Sequence, residues 1–208
     1  MNYKLDEIEK VEAVKLHGYK TDVQVQVKIY LKKAISSENL SIKLVSNPSG
    51  FNQVDKRKVD KYIEMWNIPT KVADILKRFT GEKEPNLSNP RDSRRMFLDE
   101  FTQEEQDLIV DFFNKHKILV VSDILKGRDR FAAEWILVAL ITNGTSKWVL
   151  KTINEAMNLF GNGDIYITDR GSLRIGEITM QRKGGDGGRD SAKMLQFKIN
   201  PVKLFEKC

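Results

Sequence analysis

The run Asp22-Val-Gln-Val-Gln-Val-Lys-Ile-Tyr-Leu31 places an aliphatic residue at every second position from 23 to 31. A period of two is typical of a strand with one buried face. After a polar connection at 32–39, Leu40-Ser-Ile-Lys-Leu-Val45 alternates again, and Asn47-Pro-Ser-Gly50 is a turn sequence. Two such strands in succession predict a hairpin or ribbon.

These two strands carry groups suited to phosphodiester hydrolysis. Asp22 lies on the face opposite Val23, while Ser41 and Lys43 share the face opposite Ile42, so an acid and a lysine can converge on one side of the hairpin. Hydrolysis requires a divalent metal, a carboxylate that holds it and a cation that orients water. The signature of such nucleases is Asp, a spacer, then an acidic residue or a substitute, any residue and Lys. Asp22, Ser41 and Lys43 fit this signature, but the same residue types are typical of a solvated sheet face. The pattern leaves both interpretations open.

A second set of residues fits a variant of the same signature. Gln181-Arg-Lys183 follows Asp164 and Asp169 across a predicted hairpin. The alternative is a basic strand end that leads into a glycine loop, Gly184 to Arg189, whose amides and cations contact phosphate. Spacing does not choose between the two sets.

The remaining elements are predicted from periodicity and capping. Residues 1–20 are charged and weakly periodic. Helical spacing covers 54–66, 69–79 and 90–101, and Thr102-Gln-Glu-Glu105 is a capping box that opens a helix to about residue 115. Segment 118–125 is ambiguous, and 131–141 fits a buried strand or a buried helix. Ser146 is expected to cap a helix through residue 160, and strands are predicted at 165–168, 173–183 and 194–199. Strands at both ends with helices between them predict a sheet flanked by helices.

Composition limits the class of protein. The 208 residues are 40% hydrophobic and 31% charged, as in soluble globular chains, and neither a spanning segment nor a signal peptide is evident, so we expect a cytoplasmic protein. The single cysteine, Cys208, excludes an internal disulfide and a thiolate metal cluster. A net charge of +6 favours a polyanionic partner but does not identify one. A further hypothesis, that the chain is an RNA-binding or structural protein, is supported by that charge alone.

Several segments, in the same order over essentially the whole chain, resemble one small group of type II restriction endonucleases, the HinP-one-I and MspI group. They are Gly18-Tyr-Lys-Thr-Asp22, Lys43-Leu-Val-Ser-Asn47, Gly50-Phe-Asn-Gln-Val-Asp-Lys56, Arg94-Arg-Met-Phe97, Phe101-Thr-Gln-Glu-Glu-Gln106, Phe131-Ala-Ala-Glu-Trp135, Gln181-Arg-Lys-Gly-Gly-Asp186 and Met194-Leu-Gln-Phe-Lys198. The resemblance implies an α/β fold of the PD-(D/E)xK type, a mixed central β-sheet flanked by helices, forming a single domain over 1–208. It also implies Mg²⁺-dependent cleavage of double-stranded DNA by a monomer or loose homodimer, with a cognate cytosine methyltransferase as a genetic partner.

The resemblance assigns residues to roles. It puts the metal-binding carboxylate on Asp22, the catalytic lysine on Lys43 and a metal-binding carbonyl on Ile42, with Ser41 a weak or water-mediated ligand. The DNA-contacting residues that it implies are Phe51, Asn52, Gln53, Lys56, Gln181, Arg182 and Lys183, with Phe51 and Gln53 on a loop pushed into the duplex. It favours the first set of residues over the second and implies a short palindromic site, GCGC or a close relative, cut to leave 5′-phosphate and 3′-hydroxyl ends.

Two departures from the family pattern support an alternative. The residue two before the catalytic lysine is Gln or Asn in the relatives and Ser41 here. The GCGC-cutting relative has a helical extension of some forty residues that supplies an acid, and the sequence is expected to lack it; Glu7, Glu9 or Glu12 are the acids that could compensate. The alternative is a catalytically weak or inactive relative that binds its site without cutting.

Overall fold

The computed structural model describes residues 4–16, 23–31, 34–142, 144–185 and 188–206. Asp22 and part of the glycine loop, residues 186–187, lie outside these ranges. The chain divides into two compact units. The first unit contains residues 1–52, 125–159 and 200–208, and the second contains 53–124 and 160–199.

The described residues form ten strands and five α-helices. The strands are β1 Ile8–Leu16, β2 Val23–Leu31, β3 Ala34–Val45, β4 Asn52–Arg57, β5 Trp135–Thr142, β6 Thr145–Thr152, β7 Ile165–Ile167, β8 Leu173–Ile175, β9 Ile178–Arg182 and β10 Leu195–Ile199. The helices are α1 Val59–Trp66, α2 Thr70–Thr80, α3 Gln103–Lys115, α4 Lys117–Leu125 and α5 Ile153–Gly161. Across the described ranges, the helices lack the combination of length and apolar character needed to cross a membrane.

The first unit is built on a mixed sheet, as predicted. Its strand order is β1-β2-β3-β5-β6, with β3 and β5 parallel and the other neighbours antiparallel. The hairpin of β2 and β3 is confirmed, but β3 begins at Ala34, so the polar connection predicted for 32–39 was wrong over 34–39. The polar side chains there do not prevent strand pairing, because β2 supplies backbone partners as far as Leu31.

One segment of this unit for which no element was predicted is a strand, and one predicted helix was wrong. The charged segment near the amino-terminal end contains β1, an edge strand in which charged residues are tolerated because they meet solvent. The helix predicted from Ser146 is the strand β6 followed by α5. The cap lies at Thr152, whose Oγ1 accepts from the Glu155 amide at 3.2 Å while the Thr152 amide donates to Glu155 at 2.9 Å.

The second unit contains a separate five-stranded sheet of order β4-β10-β9-β8-β7. Residues 54–57, predicted as helix, belong to β4, and α1 begins only at Val59. The strand predicted for 173–183 is the hairpin of β8 and β9, which turns at Gly176 with φ +55°. A Cβ at Gly176 would lie 2.2 Å from the Asn162 carbonyl oxygen, so glycine is required at this turn.

Apart from residues 54–57, the helices that were predicted for this unit are present with one exception. The capping box is confirmed, because the Glu105 amide donates to Thr102 Oγ1 at 3.3 Å and the Thr102 amide donates to Glu105 at 3.0 Å. The predicted helix at 90–101 is instead irregular with one short 3₁₀ turn, Leu98–Glu100. Its charged residues bind one another across the loop, with Arg91 bound to Asp99, which favours a folded loop over a helix.

The core of the second unit is aromatic. Tyr62 stacks on Trp66 with ring centroids 4.7 Å apart, and both rings meet Phe197 edge-on. The Trp66 indole N–H donates to the buried Asp123 at 2.8 Å. This cluster packs α1 against β10 and thereby holds the sheet that carries several of the predicted DNA-contacting residues.

Candidate active site and DNA-contacting residues

One face of β3 is buried and polar. Asn39, Ser41 and Lys43 alternate along the strand and are 9%, 3% and 3% exposed, whereas Leu44 on the other face is 64% exposed. Burying a lysine is costly unless its surroundings compensate the charge, and such positions are enriched at functional sites. The lysine selected from sequence therefore occupies an unusual environment.

The register of the hairpin brings β2 to this face. Val23 pairs with Ile42, and the Gln26 Nε2 donates to Asn39 Oδ1 at 3.3 Å, so the two side chains share a face. Asp22 lies outside the described residues, but it is the residue next to Val23 in the chain. Within the described residues, Ile42 is the last position of β3 that pairs with β2, and β3 continues against β5 to Val45.

A hydrogen-bond network fixes β3 two residues before Ser41. The Asn39 amide donates to the Glu134 carboxylate at 3.0 Å, and the Glu134 amide donates to the Asn39 carbonyl at 2.8 Å. The Asn39 side chain donates to the carbonyls of Arg130 and Ala132 at 2.9 and 3.2 Å. The turn before β5 is thereby attached to the strand that carries Ser41 and Lys43.

The acids considered as substitutes lie away from this end of the hairpin. Glu12 binds Lys10 and accepts from the Tyr30 hydroxyl at 2.7 Å, and these two contacts hold the pKa of Glu12 below its ordinary value. Through β2, Glu12 is in register with Ser37, four residues and about 13 Å before Ser41. Glu9 and Glu7 precede Glu12 and lie still further along in that direction.

The turn after β3 presents an aromatic side chain. The Asn47 carbonyl accepts from the Gly50 amide at 2.9 Å, and the Asn52 side chain donates to the Leu44 carbonyl at 3.1 Å. Phe51, between these anchored positions, is 49% exposed. An aromatic ring on a short, hydrogen-bonded turn can enter a base stack with little loss of loop entropy.

Three glutamines form a row across the sheet of the second unit. Gln53 is on β4, Gln196 on the adjacent β10, and Gln196 pairs with Gln181 on β9. Gln196 is 8% exposed, and its Nε2 donates to Gln53 Oε1 at 2.5 Å. Lys56 is half-buried further along β4, where its amide donates to the buried Asp55 at 2.9 Å. The structure thus aligns Gln53 and Gln181 through a third glutamine to which sequence reasoning assigned no role.

Arg182 is held by the loop at 91–100. Its guanidinium donates to the carbonyls of Arg95 and Met96 at 3.3 and 3.2 Å, lies 3.8 Å from the centre of the Phe97 ring and pairs with Asp92 at 3.4 Å. Burial, followed by the charge of Arg95, lowers the pKa of Arg182 to about 10. The contacts make Arg182 part of the loop's support.

Arg95 links the same loop to the residues that follow β9. Its guanidinium donates to the Lys183 carbonyl at 3.0 Å, to the Gly185 carbonyl at 3.4 Å and to Asp92 at 3.0 Å. Partial burial opposes ionisation of Asp92, but the bonds from Arg95 and from the Arg94 amide prevail and lower its pKa. Arg95 therefore anchors the strand end and the first part of the glycine loop.

The second acidic set is spread across its sheet. Asp164 precedes β7 and is beside Gly176, whose amide donates to its carbonyl at 3.0 Å, whereas Lys183 follows the opposite end of β9. Asp169 is exposed in the turn between β7 and β8, and β8 separates that turn from β9. Over the described part of the chain, no group of three or more His, Cys, Asp or Glu residues is arranged to hold a metal ion.

Sequence reasoning gave no role to four residues that organise these sites: Asn39, Glu134, Arg95 and Gln196. A signal was available for three of them, because Glu134, Arg95 and Gln196 lie in segments that carry the family resemblance. The contacts of Glu134 with Asn39, of Arg95 with Lys183 and of Gln196 with Gln53 span 95, 88 and 143 positions, so these contacts could not be read from local patterns.

Comparisons with known proteins identify the family and the fold. Residues 1–205 match the R.HinP1I restriction endonuclease family. Among solved structures, the chain is similar to the restriction endonuclease MspI in complex with its cognate DNA, with a TM-score of 0.64 and 11% identity over 94% of this chain and 72% of that one. A comparison with curated proteins finds no match.

The fold, a mixed sheet together with helices, is thus that of a restriction endonuclease. The match covers nearly the whole sequence, and the chain belongs to the R.HinP1I restriction endonuclease family. It is a type II site-specific deoxyribonuclease.

Proposed function

We propose that the protein cleaves double-stranded DNA at a short palindrome, GCGC or a close relative, in a Mg²⁺-dependent reaction of the PD-(D/E)xK type that leaves 5′-phosphate and 3′-hydroxyl ends. The observation that carries this proposal is the burial of Lys43 on the polar face of β3, beside Ile42, which pairs with the residue that follows Asp22. That is the strand pairing on which the Asp and x-x-Lys signature depends.

The proposed metal ligands are the Asp22 carboxylate, the Ile42 carbonyl and, directly or through water, the Ser41 hydroxyl. This set fits Mg²⁺, because every donor is an oxygen and Mg²⁺ keeps several of its waters when proteins bind it. When bound, Mg²⁺ would neutralise the charge that builds on the scissile phosphate.

Lys43 is proposed to orient the attacking water and to stabilise negative charge near it. Low exposure strengthens both effects, because a cation in a dry environment is less screened than one in solvent. The Asn39–Glu134 network would keep the strand from shifting when DNA binds.

We assign DNA binding to two groups of residues, one in each unit. Phe51 and Asn52 belong to the first unit, where the exposed ring supports a wedge role. Gln53, Lys56, Gln181, Arg182 and Lys183 belong to the second unit. The MspI structure contains cognate DNA, which supports a duplex as the ligand. We further propose one nuclease domain over 1–208, a cytoplasmic monomer or loose homodimer, and a cytosine methyltransferase as genetic partner.

A second candidate function is sequence-specific binding with weak or absent cleavage. Ser41 favours it, because a neutral hydroxyl at a buried position is a poorer metal ligand than the amide oxygen of Gln or Asn. Recovery of cleavage in Ser41→Gln, with unchanged DNA binding, would support this candidate.

The experiment that tests the proposal is digestion of plasmid DNA with the purified protein in Mg²⁺ and, separately, in EDTA, followed by sequencing of the ends. We expect the protein to cut at one short palindrome in Mg²⁺ and not in EDTA, and the Asp22→Asn substitution should abolish cleavage. Cutting without a metal, or at random positions, would contradict the proposal.

A further inference from the structure

The loop at 126–134, between α4 and β5, is attached to the active-site strand within the first unit. The Asn39 side chain donates to the carbonyls of Arg130 and Ala132 at 2.9 and 3.2 Å. Asn39 is on the same face of β3 as Lys43, because an even number of positions separates the two residues in one strand. The backbone of the loop therefore lies beside the face that carries the proposed catalytic lysine.

Hydrogen bonds within the loop fix its conformation. The Ala132 amide donates to the Asp129 carbonyl at 2.9 Å, and the Ala133 amide donates to the Lys126 carbonyl at 2.7 Å. Asp129 has a φ of +64°, in the left-handed region that residues other than glycine adopt only where their surroundings impose it. Because the loop is already ordered, it loses little conformational freedom when it binds a ligand.

Arg130 is an exposed cation on this loop. Its guanidinium lies over the Phe131 ring, with Cζ 4.6 Å from the ring centre. Among the described residues, Arg130 forms no ion pair with a carboxylate. The contact with the ring leaves N–H groups of the planar guanidinium for an anion, and these groups match the paired oxygens of a phosphate. The loop thus presents a positive charge of the kind that binds a DNA backbone.

We propose that Arg130 binds a phosphate of the DNA backbone close to the scissile phosphate. This inference rests on the proposed function, in which Lys43 acts at the scissile phosphate. Asn39, which holds the Arg130 carbonyl, is four residues from Lys43 on β3, or about 13 Å along the strand. That distance corresponds to about four nucleotides of one DNA strand. A phosphate bound within this distance would help to hold the scissile phosphate in line with Lys43.

The first measurement is the salt dependence of DNA binding, on a duplex selected by the protein from a random pool in EDTA so that cleavage does not interfere. We expect Arg130→Gln to reduce the slope of log K against log[salt] by about 0.9, the value of one phosphate contact. Arg130→Lys keeps the charge and should keep most of the slope. Lys115→Gln, which removes one exposed positive charge from α3, is the matched control and should leave the slope unchanged. If Arg130→Gln fails to fold in a thermal unfolding assay, Arg130→Ala takes its place.

The second measurement locates the phosphate. A series of duplexes, each with one neutral methylphosphonate linkage, is bound by wild type and by Arg130→Gln. One linkage, within about four nucleotides of the mapped cleavage position, should weaken binding by wild type and cause no further loss in Arg130→Gln. A merely structural role for Arg130 would not single out one phosphate.

The outcomes distinguish the inference from the function on which it rests. A wild-type salt slope in Arg130→Gln overturns the inference, as does a series in which every linkage weakens both proteins equally. A linkage shared with Arg130 but far from the cleavage position overturns its placement beside Lys43. Failure to select any duplex contradicts the proposed function and the inference together. A single shared linkage on a duplex that is not cut in Mg²⁺ supports the phosphate contact and contradicts the proposed nuclease activity.

Discussion

Asn39 and Glu134 are joined by two hydrogen bonds, in which each backbone amide donates to the other residue, at 3.0 and 2.8 Å. This link ties the middle of β3 to the turn that begins β5. It lies two residues before Ser41, so the active-site strand is fixed by contacts that do not involve the reacting groups.

Asn39→Ala is expected to destabilise the protein. The substitution removes the donors to the carbonyls of Arg130 and Ala132 and leaves buried polar groups with fewer partners. The free energy of unfolding should fall by about 2 kcal/mol in urea titrations. Asn114→Ala, at an exposed position of α3, is the control and should change it by less than about 0.5 kcal/mol. Equal effects would show that the network does not stabilise β3.

Arg95→Ala should be more damaging than the same change at its neighbour. Arg95 is 7% exposed and bonds to Asp92 and to the Lys183 carbonyl, so its removal leaves a partly buried carboxylate and a carbonyl without this partner. We expect a loss of about 3 kcal/mol, measured by chemical denaturation. Arg94→Ala, which truncates an exposed arginine, should cost less than about 1 kcal/mol. A larger loss for Arg94 would contradict the anchoring role.

Asp92 makes the free energy of unfolding depend on pH in the acid range. Its pKa in the folded protein lies below its ordinary value of 3.8, because the Arg95 and Arg94 bonds outweigh the effect of burial. A lowered carboxylate pKa stabilises the fold above that ordinary value, and the contribution is lost as the pH falls below it through the folded pKa. Asp92→Asn should therefore lose less stability than wild type between neutral pH and pH below 3.8. The exposed control Asp111→Asn should follow wild type, and an identical acid loss in Asp92→Asn would exclude this contribution.

Phe51→Ala should separate DNA distortion from folding. Because the ring is 49% exposed, the free energy of unfolding should change by less than about 0.5 kcal/mol. If the ring enters the base stack, cleavage should slow by at least about tenfold, because without the ring the cost of unstacking the site is no longer offset by contacts with the wedge. Tyr166→Ala removes another exposed aromatic side chain, on β7, and should cleave at the wild-type rate. Equal cleavage rates for Phe51→Ala and Tyr166→Ala would contradict a DNA contact by Phe51.

The sequence predicted the hairpin and the capped helix because their signals are local. The alternation of Val25, Val27 and Ile29 and the Thr102–Glu105 box each act within a few residues of chain, and both appear in the structure. Local signals failed at 90–101, where an apolar period that suits a helix is overridden by ion pairs such as Arg91 with Asp99. Propensity is a weak guide where charged partners are available elsewhere in the loop.

The same difference between local signals and long-range contacts applies to the candidate site. Lys43 and Ser41 could be assigned a common face from the period of two, and the register agrees with that assignment. The contact between Gln196 and Gln53 could not be predicted, because the two residues are 143 positions apart in sequence and their contact depends on β4 joining the C-terminal strands. Residues 54–57 have a helical period, and only tertiary pairing makes them a strand.

The most direct test of the account is the cleavage rate of Lys43→Met on the mapped duplex, measured under single-turnover conditions in saturating Mg²⁺. The substitution keeps the length of the buried side chain and removes its charge, so the rate should fall at least about 100-fold while the dissociation constant for the duplex stays close to that of wild type. Lys28→Met, on β2 of the same hairpin, should cut at the wild-type rate. A Lys43→Met protein that binds and cuts as wild type would contradict the proposed catalytic role of this strand.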